Sequence, residues 1–276
     1  MPATMPDSQS LLMMFALLAA IGAFAGIIAG LLGVGGGIVL VPAFFYAFGH
    51  LGYGGDHIMQ VCVATSLATI VFTSVRSVRA HAKKGAVDWQ MLRAWAPFIV
   101  AGAIVGVLVA AVVKSLVLQA IFGILAGLAG GYMAFARPHW RLGDRLPDQP
   151  LRGIYGCVLG FFSALMGIGG GTFGVPLMSL YNFPIHRAVG TASGIGILIA
   201  LPAVIGFAAI PVTDAPPLTL GAINLPAFAA VVGTTMITTP MGANLAHRMN
   251  AAPLKRVFAV FLTLVALNML RKVFGW

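Results

Sequence analysis

Two glycine strings carry the chemistry this chain could do. The first is Gly33-Val34-Gly35-Gly36-Gly37-Ile38-Val39-Leu40-Val41-Pro42, and it recurs 134 residues later as Gly167-Ile168-Gly169-Gly170-Gly171-Thr172-Phe173-Gly174-Val175-Pro176. Each glycine lowers helix propensity by about 1 kcal/mol relative to alanine, so each string predicts unwound backbone inside an apolar segment. In lipid such backbone is tolerated only when buried in protein or lining a wet cavity, so both breaks must face inward. Segments restarting at 38–48 and 172–182 would then offer amides without intrahelical partners and the positive end of a helix dipole. That is an anion site, with Gly33, Gly35, Gly36, Gly37, Gly167, Gly169, Gly170 and Gly171 as its candidate backbone. Close helix packing competes as an explanation, and it accounts better for Gly22, Gly26, Gly102, Gly106, Gly127 and Gly131. Neither string is a nucleotide fingerprint, because Ile38 occupies the third glycine position and no Lys-Ser or Lys-Thr follows.

Hydroxyls inside apolar runs are the second resource. They donate to oxyanions without the cost of burying a charge. The first half offers Thr65, Ser66, Thr69, Thr73 and Ser74, and the second half Thr191 and Ser193. Each could instead bond a carbonyl of its own helix. Thr65 and Thr191 stand out because the internal alignment superposes them. Thr234, Thr235, Thr238, Thr239, Pro240 and Asn244 form a later polar patch in which Pro240 can kink the helix. Arg79, His186 and Arg187, together with Arg76, are candidates for guiding an anion, although interfacial anchoring is the better explanation of the arginines and surface placement that of His186.

The elements that position these residues come from a duplication. The stretch 26–42 aligns without a gap on 160–176, Val63-Ala64-Thr65-Ser66 aligns on Val189-Gly190-Thr191-Ala192, and Gly106 and Phe122 pair with Gly242 and Phe258 at an offset of 136. Three blocks in the same order define two repeats of about 130 residues, 10–136 and 152–275, joined by a linker at 137–152. The chain is 60% hydrophobic and 8% charged, with mean hydropathy +1.00. Soluble proteins carry about a quarter charged residues, so this is an all-α polytopic membrane protein forming one transmembrane domain over 1–276. Apolar runs fall near 11–32, 36–49, 58–75, 94–113, 115–136, 153–181, 188–211, 221–246 and 254–270. No basic residue precedes the first run, so it is expected to be retained rather than cleaved as a signal peptide.

Basic residues cluster around Arg76 to Arg93 and Arg137 to Arg152, which places both loops, the linker included, in the cytoplasm. If 153–181 folds back at its glycines, only Lys114, Arg271 and Lys272 fall outside. A single crossing per repeat would instead put Lys114, Arg187, Arg248, Lys255 and Arg256 outside. The first alternative is preferred. It makes the repeats inverted, each a re-entrant or discontinuous helix pair followed by three transmembrane helices, with a site near the midplane.

Other functions are disfavoured. The chain has no glutamate, and Asp7, Asp56, Asp88, Asp144, Asp148 and Asp214 lie in termini or loops, so an intramembrane carboxylate relay is missing. The histidines sit at segment ends. An intramembrane hydrolase using Ser163 or Ser193 would lack a base within the apolar runs. Cys62 and Cys157 have no ligand spacing, which argues against a disulfide framework or zinc site. No cofactor, metal or enzymatic activity is expected. The net charge of +10 reflects loop topology rather than nucleic-acid binding.

The duplicated Gly-x-Gly-Gly-Gly with its following proline, Ala64-Thr65-Ser66, Gly190-Thr191-Ala192-Ser193 and Pro240-Met241-Gly242-Ala243-Asn244 together resemble the sulfite exporter TauE/SafE family over nearly the whole chain. The resemblance implies a bacterial inner-membrane, multi-pass carrier that exports sulfite, sulfoacetate or related organosulfonate-derived anions. On that reading the two glycine strings present amides, Thr65, Ser66, Thr191 and Ser193 present hydroxyls, and Asn244 joins the site. The expected partners are a small anionic substrate and the lipid bilayer; a homodimer stays open. An anion channel, or a carrier of another small anion, is the alternative.

Overall fold

A computed structural model describes residues 8–135, 141–248 and 251–275. Asp7 and Arg137 lie outside the described residues. Ten helices follow in order: α1 (Ser8–Leu32), α2 (Gly37–His50), α3 (Ile58–Ala82), α4 (Trp89–Val112), α5 (Ser115–Phe135), α6 (Leu151–Met166), α7 (Gly171–Leu180), α8 (Ile185–Ala208), α9 (Leu225–Ala246) and α10 (Ala251–Phe274). A two-residue hairpin, β1 (Thr219–Leu220) and β2 (Ile223–Asn224), leads into α9. Among the described residues, α1, α3, α4, α5, α8 and α9 are long and apolar enough to cross a membrane.

Both glycine strings break the chain as expected. The first interrupts helix over 33–36, where Gly35 and Gly36 take left-handed φ angles of 75° and 83° that a side chain would strain. The second separates α6 from α7, with Gly167 as the left-handed C-cap of α6. Residues 28–42 and 163–172 are buried, so the unwound backbone is shielded as lipid demands. Each broken segment doubles back as a hairpin. The Tyr181 hydroxyl at the end of α7 bonds the Tyr155 hydroxyl near the start of α6 at 3.3 Å, and Phe15, Leu18, Phe48 and Leu51 share one cleft between α1 and the end of α2.

The hairpins pack against partners from the other half. On α1, Gly22 meets Thr234, Gly26 meets Thr235 and Gly30 meets Gly242, so α1 and α9 run parallel. On α6, Gly156 meets Phe98, Gly160 meets Ile99 and Ala164 meets Gly106, so α6 and α4 run parallel too. Adding 134 to α1 and 136 to α4 converts one set of contacts into the other. At several of these glycines a methyl would overlap backbone, which explains the small-residue faces as close packing. The helices α3 and α8 cross antiparallel at the centre, with Ser77 on Ser193; α5 and α10 pair antiparallel at one flank, Gly123 on Leu270 and Gly130 on Leu262.

Candidate anion site

The two breaks meet each other. The Gly169 amide donates to the Val34 carbonyl at 3.0 Å, a methyl on Gly37 would strike the Gly167 carbonyl, and one on Gly171 would strike Gly33. The starts of α2 and α7 therefore arrive together, and their first amides have no acceptors within their own helices. This is the geometry in which two positive helix ends attract one negative charge.

One face of α3 stitches the junction. The Ser66 hydroxyl donates to the Gly167 carbonyl at 2.8 Å, and the Thr73 hydroxyl to the Gly35 carbonyl at 3.0 Å. The Ser77 and Ser193 hydroxyls lie 2.7 Å apart, and Ser193 also donates to Val189 of its own helix at 3.1 Å. Ser74 is buried without a hydrogen-bond partner. Its Oγ lies 3.4 Å from where a Cβ on Gly35 would stand. A Cβ on Gly196 would overlap that oxygen and lie 3.7 Å from the Gly170 nitrogen. An unsatisfied buried hydroxyl costs about 1–3 kcal/mol, and this one lies where both breaks are within reach. Ser163 and Thr172, flanking the second break, also hold buried hydroxyls without partners.

Several expected residues take other roles. The Thr65 hydroxyl oxygen accepts the Asn224 amide at 3.0 Å, and the Thr191 hydroxyl oxygen accepts the Asp88 amide at 2.9 Å. Asn224 and Asp88 are the N-caps of α9 and α4, whose side chains accept from the Ala227 and Met91 amides at 3.0 and 2.8 Å. The superposed threonines thus anchor superposed helix starts, with their oxygens turned to those caps rather than to the breaks. In the α9 patch, the Thr234, Thr235, Thr238 and Thr239 hydroxyls donate to carbonyls of α9 itself. Asn244 lies exposed on the same helix. Arg79 is exposed, Arg76 donates to the Met236 carbonyl at 3.3 Å, and Arg187 bonds the Asp88 carboxylate at 2.8 Å while lying over the Phe183 ring.

Two polar residues at this junction escaped the sequence reading, Ser77 and His81. Arg76 and Arg79 appear to end the apolar run, whereas α3 continues to Ala82 with both arginines on its exposed side. His81 sits at a segment end as expected, in the last turn of α3, but is 1% exposed. It touches His247, and His186 stacks on His247 with ring centroids 5.3 Å apart. Burial, then Lys84 and His186, hold the His247 imidazole below its usual range. Cys62 and Cys157 are free thiols.

Relatives are consistent with this architecture. A probable membrane transporter protein of Haemophilus influenzae is 31% identical over 91% of this chain and 96% of its own length. Probable membrane transporter proteins of Methanocaldococcus jannaschii and Bacillus subtilis are 28% and 32% identical, covering 71% and 65% of this chain and 73% of their own lengths. No solved structure matches the chain. The model of the sulfite exporter TauE/SafE family matches residues 18–269, and the chain accordingly belongs to that family of membrane transporters.

Proposed function

We propose that this protein is a secondary carrier that exports small sulfur-containing oxyanions, sulfite, sulfoacetate or a related organosulfonate-derived anion, across the bacterial inner membrane. Its single transporter domain consists of two repeats, 10–136 and 152–275, related by inversion through the membrane plane. The carrying observation is the backbone contact between the breaks, Gly169 amide to Val34 carbonyl, beneath the unpartnered Ser74 hydroxyl. The anion takes the first amides of α2 and α7 and hydroxyls of α3, above all Ser74, with no buried cation needed.

Breaks in direct contact support a carrier rather than an open pore, because one of the two hairpins must move before anything passes between them. The reciprocal packing of α1 on α9 and α6 on α4 supports inversion: each hairpin runs with a helix of the other half, and the shared register makes the two arrangements equivalent. The test is uptake of radiolabelled sulfite into proteoliposomes, with sulfate, thiosulfate, sulfoacetate and chloride as competitors. The expected result is saturable uptake with counterflow, blocked by sulfur oxyanions. Flux that never saturates would replace the carrier with a channel, and block by chloride alone would reassign the cargo.

A further inference from the structure

We propose that the carrier, on the reading above, moves one proton with each anion, and that His81, bonded to His247 and reached from solvent beside His186, holds that proton. Three elements bring these rings together: the last turn of α3, the start of α8 and the C-cap of α9.

The bonding fixes the tautomers. His81 Nε2 lies 3.0 Å from the Gly30 carbonyl oxygen, and its Nδ1 lies 3.1 Å from His247 Nε2. Gly30 is in the last turn of α1, where carbonyls lack helical donors, so His81 Nε2 must carry hydrogen and donate. Nδ1 of His81 then accepts from Nε2–H of His247. A proton arriving at His247 Nδ1 lets the Nε2 hydrogen pass to His81 Nδ1. His81 becomes imidazolium, and His247 is left neutral with its other nitrogen protonated. The pair thus takes up one proton without separating. A second proton would set N–H against N–H and force it apart.

The same ring faces the anion path. His81 ends the buried α3 face that runs through Ser66, Thr69, Thr73 and Ser77, the face that stitches both breaks. Its Gly30 contact lies three residues before the first break. The charged groups around the cluster are Lys84 just after α3, Arg79 on the outer side of α3, Arg248 beside His247, and Arg187, whose charge Asp88 neutralises. Burial first, and then Lys84 and His186, disfavour the charged form of His247. An oxyanion at the breaks supplies the negative charge that favours a proton on His81, and the proton leaves when the anion does.

His81→Gln separates this from a purely structural role, because glutamine keeps an N–H for the Gly30 carbonyl and cannot hold the proton. In proteoliposomes, the wild type is expected to accumulate labelled sulfite under an imposed pH gradient and to take up protons with it, read by an entrapped pH dye. His81→Gln should retain sulfite exchange and lose both gradient-driven accumulation and proton uptake. His247→Gln, which leaves Gly30 untouched, should do the same and guards against misfolding of the first variant. Gradient-driven accumulation with an unchanged proton ratio in both variants would overturn the proposal. If the wild type exchanges no sulfite, the cargo assignment fails while the proton pair is judged separately by imidazole ¹⁵N resonances. One proton shared by His81 and His247 supports it, and two independent titrations overturn it.

Discussion

Helices α3 and α8 cross at the centre of the molecule, yet the side-chain bonds to the two glycine breaks come from α3. An offset of 126 residues sets Ser66, Thr69, Thr73, Ser77 and His81 of α3 opposite Ala192, Ile195, Ile199, Ala203 and Phe207 of α8. All ten are buried. The α3 hydroxyls bond both breaks, Gly35 of the first and Gly167 of the second, while the α8 face only packs. The threonines one residue before Ser66 and Ala192, Thr65 and Thr191, perform identical tasks on Asn224 and Asp88. The cap contacts of the two threonines thus occur in both halves, whereas the hydroxyl contacts to the breaks come from α3. On the proposed reading, a substrate at the junction would meet mainly α3 hydroxyls, since the Ser193 hydroxyl of α8 is engaged with Ser77 and Val189.

Variants that act on both halves should have the largest effects. Gly37→Ala and Gly169→Ala each push a methyl into backbone of the opposing break. Each should cost about 3 kcal/mol or more and abolish transport, read as a lowered melting temperature in detergent together with lost flux. Equal losses would confirm that the breaks depend on each other equally. The comparison of α3 with α8 is sharpened by Ser74→Ala, which removes a hydroxyl without a protein partner. Removing the unsatisfied hydroxyl should raise stability by about 1 kcal/mol, while anion affinity falls about tenfold, the value of roughly 1.4 kcal/mol of lost hydrogen bonding. Ala200→Ser, at the equivalent α8 position, should add no affinity; a gain would show the two helix faces to be interchangeable.

Thr65→Val and Thr191→Val should each orphan one N-cap amide and destabilise by about 1–2 kcal/mol, measured by denaturation in mixed micelles. Unequal effects would break the claim that the cap contact is duplicated in function. The smallest effect belongs to Arg187→Gln. The half-exposed pair with Asp88 contributes about 0.5 kcal/mol, and Val61 stands at the equivalent place in the first half, where Asn224 replaces the aspartate.

How much of this could be read in advance follows from the range of the contacts. The glycine breaks were legible because they are local: three glycines in an apolar run disturb a helix wherever it packs. The matched importance of Thr65 and Thr191 was legible from alignment, but their partners were not. Asn224 and Asp88 lie in connections remote in sequence, and only the fold brings a cap amide to a mid-helix hydroxyl. The α3 stripe was truncated at 75 because arginines in an apolar run suggest its end. The 3.6-residue period instead places Arg76 and Arg79 on the exposed side while Ser77 and His81 continue inward. Ser74 was visible as a polar residue, and its lack of a partner emerged only from the packing around Gly35 and Gly196.

The pairing of α1 with α9 also orders events during biosynthesis. The glycine face of α1 leaves the ribosome some two hundred residues ahead of the threonine face it packs against. At roughly 5–20 residues per second of synthesis, α1 waits about 10–40 s for its partner. The α6–α4 pair has a far shorter wait, since only α5 and the linker separate α4 from α6. Assembly should thus proceed from the centre outward, with α1 inserted ahead of α4, α6 and α9 and among the last of them to be locked in place.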